Sequence, residues 1–286
     1  MTGPVLLHSL DGFVDAGSTG QLVREHLLEA LEHRVVARFD VDSLIDYRAR
    51  RPPMTFDRDH WASYEAPELV VRLLRDDAGS PFLMLSGPEP DRLWEGFTAS
   101  VLHLVKRLGI GLVIGFHGIP MGVPHTRPVG ITSHATRPEL VTRSSWFDKV
   151  QVPGSVAGLL ELRLGEAGHD AVGFAIHVPH YLAQSAYPAA AVAALDAVVE
   201  TTGLVLPVEP LREAAAATDA DIAEQVDGND EVEKVVRALE QQYDAFAGAA
   251  ERDSLLAESQ DMPTADELGA QFERFLAEQD GPDAQG

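Results

Sequence analysis

The order of apolar and polar positions is most informative between residues 82 and 134. Residues 82–85 and 112–116 are apolar without alternation, the pattern of strands covered on both faces of a parallel sheet. Between them Trp94, Phe97, Val101, Leu104 and Leu108 recur at spacings of three and four, which predicts a helix with one buried stripe. A strand, helix, strand crossover of this kind is right-handed almost without exception. Such sheets bind ligands beyond the carboxyl ends of their strands. Here those ends are Ser86-Gly87-Pro88-Glu89 and His117-Gly118-Ile119-Pro120, and a third strand follows at the GITSHAT segment.

The same alternation extends in both directions. Residues 5–10 read as a first strand, and Leu22, Val23, Leu27, Leu28 and Leu31 as the buried side of a helix capped by Ser18 or Thr19. A second strand is expected at 35–39. Residues 46–59, rich in Arg and Pro, read as an irregular excursion. Residues 68–74 and 81–85, joined by the turn-forming RDDAGS, read as an antiparallel pair. Residues 137–150 read as a loop. Ser155 caps a helix to about residue 167, a strand follows at 171–178, and Pro188 opens an Ala-rich helix to about 202.

Buried strands alternating with amphipathic helices imply an α/β protein: a three-layer α/β/α body with a mixed, mostly parallel sheet over residues 1–208. A helical C-terminal appendage over 209–280 and a disordered end at 281–286 are expected to follow. The appendage shows two narrow apolar stripes. One runs through Val232, Val235, Val236, Leu239, Tyr243 and Phe246; the other, behind a capping box at Thr264–Glu267, through Leu268, Phe272, Phe275 and Leu276. An isolated appendage of this kind is marginal in water, so the first stripe is expected to bury against the body or a neighbouring subunit.

Charge sharpens that division. The formal net charge is −23, and residues 209–286 hold 21 acidic and 5 basic side chains. Nucleic acid and anionic membrane are therefore not expected as partners. No run approaches the roughly 20 apolar residues of a membrane span. The N-terminal run lacks a basic region and meets Asp11 early, so a cytoplasmic location is expected. The chain has no cysteine, which removes disulfides and thiol chemistry.

The chemistry-bearing residues gather at strand ends. There is no phosphate loop of the G-x-x-x-x-G-K-[ST] type and no G-x-S-x-G nucleophile elbow. His117, His125, His134, His177 and His180 fall at strand ends or in loops along one expected edge of the sheet. Their spacing is irregular for zinc, so neither a metal nor a cofactor is expected. His117, His125 and Asp15 are the candidates for proton transfer, because a histidine titrates near neutrality and strand-end loops are its usual working position. Asp11, Gly17, Ser18, Glu89, His117, Gly118 and His180 are the candidates for holding a ligand, with the helix start at Gly17-Ser18 suited to an anion. Equally, these carboxylates satisfy turn amides and these histidines hold loops.

The segments LLHSLDGFVDAGSTG, GIGLVIGFHGIPMGVPHTRP with GITSHAT, and PTADELGAQFERFLAEQ, in that order, resemble the proteasome assembly chaperone 2 family in its actinobacterial branch. That resemblance implies a body similar to nucleoside phosphorylases and hydrolases. It also implies a chaperone-like or scaffold protein that binds other proteins, proteasome-related ones among them, and itself, with a trimer favoured as the homo-oligomer. It does not extend to tail docking of the hydrophobic-Tyr-X kind, since the sequence closes on Asp283-Ala284-Gln285-Gly286. The alternative is a nucleoside- or phosphate-type binding protein or hydrolase, with a pocket at the strand ends.

Overall fold

In the computed structural model, residues 3–12, 14–141 and 149–253 are described. The strands are β1 (Val5–Asp11), β2 (His33–Arg38), β3 (Met54–Asp57), β4 (His60–Tyr64), β5 (Val70–Arg75), β6 (Pro81–Pro88), β7 (Leu112–Met121), β8 (Ile131–Ala135) and β9 (Ala171–Pro179). The helices are α1 (Thr19–Ala30), α2 (Val41–Leu44), α3 (Trp94–Leu108), α4 (Val156–Glu166), α5 (Pro188–Thr202), α6 (Glu209–Asp227) and α7 (Asp230–Asp253).

Seven strands form one sheet in the order β2-β5-β6-β1-β7-β9-β8. β6, β1, β7 and β9 run parallel, while β5, β2 and β8 join antiparallel at the two sides. β1 lies inside this sheet, so VLLHSL is apolar on both faces. Leu7, Ile114, Phe174 and Ile176 face Val23 and Leu27 of α1 and Ala191 and Leu195 of α5. Leu6, Leu85 and Val113 face Phe97 and Val101 of α3 and Leu160 and Leu164 of α4. Two dry interfaces on either side of one sheet make the three-layer α/β/α body that the alternation predicts.

Three local expectations are corrected. Leu108 at the end of α3 is exposed, and the buried stripe passes through Val105 instead. The excursion at 46–59 contains a strand: β3 pairs with β4 as a separate two-stranded hairpin. Neither Ser18 nor Thr19 caps α1 with its side chain, since Ser18 sits at φ 51° and Thr19 Oγ1 turns back to donate to the Ala16 carbonyl (2.7 Å). Ser155 does cap α4, its hydroxyl accepting from the Gly158 amide at 3.1 Å.

The helices from Glu209 onward lie on the body. Leu211 and Ala215 of α6, and Val236 and Leu239 of α7, are buried, whereas Val232 and Val235 of the same stripe are exposed. Arg127, in the loop after β7, donates from Nε and Nη2 to the two carboxylate oxygens of Asp244 (2.8 and 2.7 Å) and from Nη1 to Glu240 (3.2 Å). The Tyr243 hydroxyl reaches the Pro128 carbonyl at 3.3 Å. A bidentate guanidinium–carboxylate pair fixes direction as well as distance. Arg127→Ala is therefore expected to speed proteolytic cleavage within α7 several-fold with little change in the unfolding of the body, as followed by limited proteolysis beside a melting curve. The Phe246 side chain, the stripe from Leu268 to Leu276 and the expected disorder at 281–286 lie outside the described residues.

Candidate functional site

The carboxyl ends of β1 and β7 meet at Asp15. Gly17, at φ 67°, turns the chain there, its amide donating to the Ala183 carbonyl and its carbonyl accepting from the Tyr187 amide (both 2.9 Å). The turn points the Asp15 carboxylate at the start of α1. It accepts from the amides of Gly20 (2.8 Å) and Gln21 (3.1 Å), and also from Gly118 of β7 (3.1 Å). The helix start expected to receive an outside anion thus holds a carboxylate of the same chain, which the helix dipole favours. A Cβ on Gly118 would collide with the Ala16 carbonyl, so this close approach requires glycine.

The other ligand-holding candidates are engaged in similar ways. Glu89 is buried and accepts from the Val156 amide at 2.7 Å, capping the first turn of α4 from the end of β6. Asp11 pairs with Arg24, and its carbonyl accepts from Arg50 (3.0 Å). Arg50 also pairs with Asp91 at 2.6 Å, tying the excursion to the segment before α3.

The histidines divide into two groups. His125 and His180 flank Tyr181 beyond β7 and β9. The Tyr181 hydroxyl accepts from the His125 amide (2.8 Å) and lies 2.7 Å from its Nδ1, while the His180 ring stands edge-on to Tyr181. Burial lowers the basicity of both histidines, and Asp219 and Glu240 partly offset this at His125.

The second group lies under α4. One row across the sheet runs His8, Gly115, Gly173, His134 through the registers of β1, β7, β9 and β8. A Cβ on Gly115 would overlap the His8 ring, and one on Gly173 the His134 ring, so two glycines form a floor on which the imidazoles lie. His117 stands two residues beyond Gly115. Glu161 of α4 sits above, 2.8 Å from His134 Nδ1. His8 is 5% exposed, and burial, outweighing Glu161, pushes its pKa down to about 4. Burial lowers His117 as well, with His134 adding to the effect and Asp15 and Glu161 opposing it. Neither the His8 nor the His117 imidazole hydrogen-bonds to a described residue. Four residues beyond Gly173 on β9, the buried His177 is 2.8 Å from Thr132 Oγ1, and burial holds it at about 4. Among the described residues no three His, Asp or Glu side chains converge where a metal ion would fit.

The structure therefore brings His117 towards Asp15 and leaves His125 and His180 in a different place. Sequence reasoning missed His8 and Glu161. The available signals were a histidine inside an apolar strand and a mid-strand glycine in each of β7 and β9.

Two open depressions lie elsewhere, and neither is lined by a strand-end candidate. One, of about 330 Å³, includes Ile45, Arg50, Arg51, Pro52, Pro67 and Pro88 at the foot of the hairpin. The other, of about 510 Å³, lies between β2 and α3 along Ala37, Phe39, Ala99 and Leu104. The hairpin itself carries an apolar face. Met54 pairs with Tyr64 and Phe56 with Trp61, a register shift between Thr55 and Phe56 keeping both pairs together. These side chains are 51, 49, 55 and 63% exposed, and the Phe56 and Trp61 rings meet edge to face at 5.2 Å.

Residues 9–226 match the model of the PAC2 family. A Mycobacterium tuberculosis protein of unknown function is 50% identical, with a TM-score of 0.84 over 88% of this chain and 86% of that one. A Corynebacterium glutamicum protein, also of unknown function, is 39% identical, with a TM-score of 0.82 over 86% of this chain and 92% of that one. A Mycobacterium tuberculosis proteasome-assembly chaperone homologue shares the fold at 23% identity, with a TM-score of 0.74 over 81% of this chain and 99% of that one. No curated protein matches the chain.

Proposed function

Since this chain belongs to the PAC2 family, we propose that it is a chaperone-like scaffold that works by binding other proteins. The exposed face of the β3–β4 hairpin carries this reading. A two-stranded hairpin is marginal by itself in water, yet here Met54, Phe56, Trp61 and Tyr64 are left for solvent on one side. Aromatic residues of this kind, with arginines at their edge, are the usual anchors of a protein interface. The name of the Mycobacterium tuberculosis chaperone homologue of the same fold makes proteasome subunits the first partners to look for.

Affinity purification from the native host is the test, comparing the parent with a Phe56→Ser/Trp61→Ser variant. Both side chains are exposed, so the variant should fold normally. The expected result is a defined partner set that falls at least several-fold with the variant. Recovery of the protein alone, or of the same set with both baits, would overturn the reading.

A second reading, a nucleoside- or phosphate-type ligand, is favoured by one observation. His8 and His117 are imidazoles that no described residue hydrogen-bonds, beside the Glu161–His134 pair. A ligand there must stabilise the native state. Melting curves across nucleosides, nucleotides and inorganic phosphate decide it, and no shift at millimolar ligand removes it.

A further inference from the structure

We propose that a primary ammonium group binds where α6 and α7 meet the loops beyond β7 and β9, with the Tyr187 hydroxyl and the Asp219 carboxylate as its acceptors. The place is separate from the hairpin face and from the histidine row under α4, so it stands apart from both readings above.

Tyr187 is 2% exposed, yet its hydroxyl hydrogen-bonds to no described residue. The residue is held firmly at the start of α5, its amide donating to the Gly17 carbonyl at 2.9 Å and its ring lying in the core. Burial raises its pKa, and Asp219 and Tyr181 lie close enough to add to the effect. A buried hydroxyl without a partner is costly, and phenylalanine would fill the same space without that cost. A tyrosine here points to a partner that the described chain does not supply.

Asp219 meets it from α6. Leu211, Ala215 and Ile222 turn towards the body at intervals that place Asp219 on the same side of the helix. A carboxylate thus interrupts the stripe where an apolar residue would continue it. Asp219 is open to solvent on its outer side, and the burial of the other raises its pKa against the opposing effect of His125. No described residue forms an ion pair or hydrogen bond with its side chain.

The neighbouring groups select the ligand. Arg127 is committed to Asp244 and Glu240, and the Tyr181 hydroxyl to His125. Burial favours the neutral form of His125. Three carboxylates, Asp219, Glu240 and Asp244, therefore face one arginine and neutral rings, which disfavours an anion. The described His, Asp and Glu side chains form no metal site. An ammonium head donates up to three hydrogen bonds and sits well beside aromatic rings, which matches one free carboxylate, one free hydroxyl and the Tyr181 ring.

Putrescine and Nα-acetyl-lysine amide are the probes, titrated by calorimetry into the full-length protein at neutral pH. Tetramethylammonium chloride and sodium chloride at equal ionic strength are the controls, the former carrying the charge without an N–H to donate. At least one amine should bind at millimolar concentration or below and raise the melting temperature. Tetramethylammonium should bind at least tenfold more weakly. Tighter binding of putrescine assigns a free amine, and of the lysine amide a side chain of another protein. Asp219→Asn should weaken the preferred amine at least tenfold and Tyr187→Phe several-fold, while Asp221→Asn on the same helix should leave it unchanged. Without amine, Tyr187→Phe should melt no lower than the parent, since it removes an unpartnered hydroxyl. No binding by either amine, equal effects of tetramethylammonium or salt, binding indifferent to the Asp219 and Tyr187 substitutions, or a lower melting temperature for unliganded Tyr187→Phe would each overturn the proposal.

Discussion

Asp15→Ala is expected to destabilise the protein by about 2 kcal/mol, the upper range for losing a helix cap. The carboxylate serves three amides, Gly20 and Gln21 at the start of α1 and Gly118 in β7. Its removal strands donors on two elements at once, and the half-buried site limits the help water can give. For a body of this size the melting temperature should fall by roughly 4–8 °C. Asp15→Asn keeps one acceptor oxygen and should recover part of the loss. If the alanine variant melts with the parent, the Asp15 bonds are not holding the turn to the sheet.

Acid should weaken the fold well before ordinary carboxylates titrate. His8 and His177 both have folded pKa values of about 4, lowered first of all by burial. In the unfolded chain a histidine titrates near 6.5. The unfolded state therefore binds the extra proton more readily over that interval. Each contribution is complete above pH 6.5, is lost as pH falls from 6.5 towards 4, and changes no further below. At 1.36 kcal/mol per unit, each is worth about 3 kcal/mol across the window. Denaturant melts at successive pH values should show a steep fall between pH 6 and 4.5. His8→Leu, which cannot titrate, should flatten it by about half. A stability constant from pH 7 to 4.5 would mean that these rings are not buried neutral.

What the sequence displayed and what it hid have distinct physical origins. The unbroken apolar runs of β1, β6, β7 and β9, and the spacing of Val23 with Leu27, are one-dimensional patterns, so layers and strand identities were legible. The turn cluster between β5 and β6 gave that antiparallel pair for the same reason. β3 was hidden because Pro52, Pro53 and four arginines mask a four-residue strand, and the register shift at Phe56 breaks its alternation with β4. Ser18 looked like a cap because sequence proximity favours it. The real acceptor, Asp15, reaches the helix through a left-handed turn and draws its third donor from residue 118. The row His8, Gly115, Gly173, His134 depends on the register of four strands separated by long stretches of chain, which no local pattern encodes.

The position of β1 has a consequence for how the molecule is made. Leu6 is in register with Leu83 on one side and with Val113 on the other. During synthesis at about 5–20 residues per second, this segment leaves the ribosome before β6 and β7 and waits several seconds for the partners that cover both its edges. Until then an apolar strand with two open edges is available to any passing chain, the situation in which β structure aggregates. Loop closure over such distances also slows the folding step itself. Shielding of β1 is therefore needed until both β6 and β7 have been made.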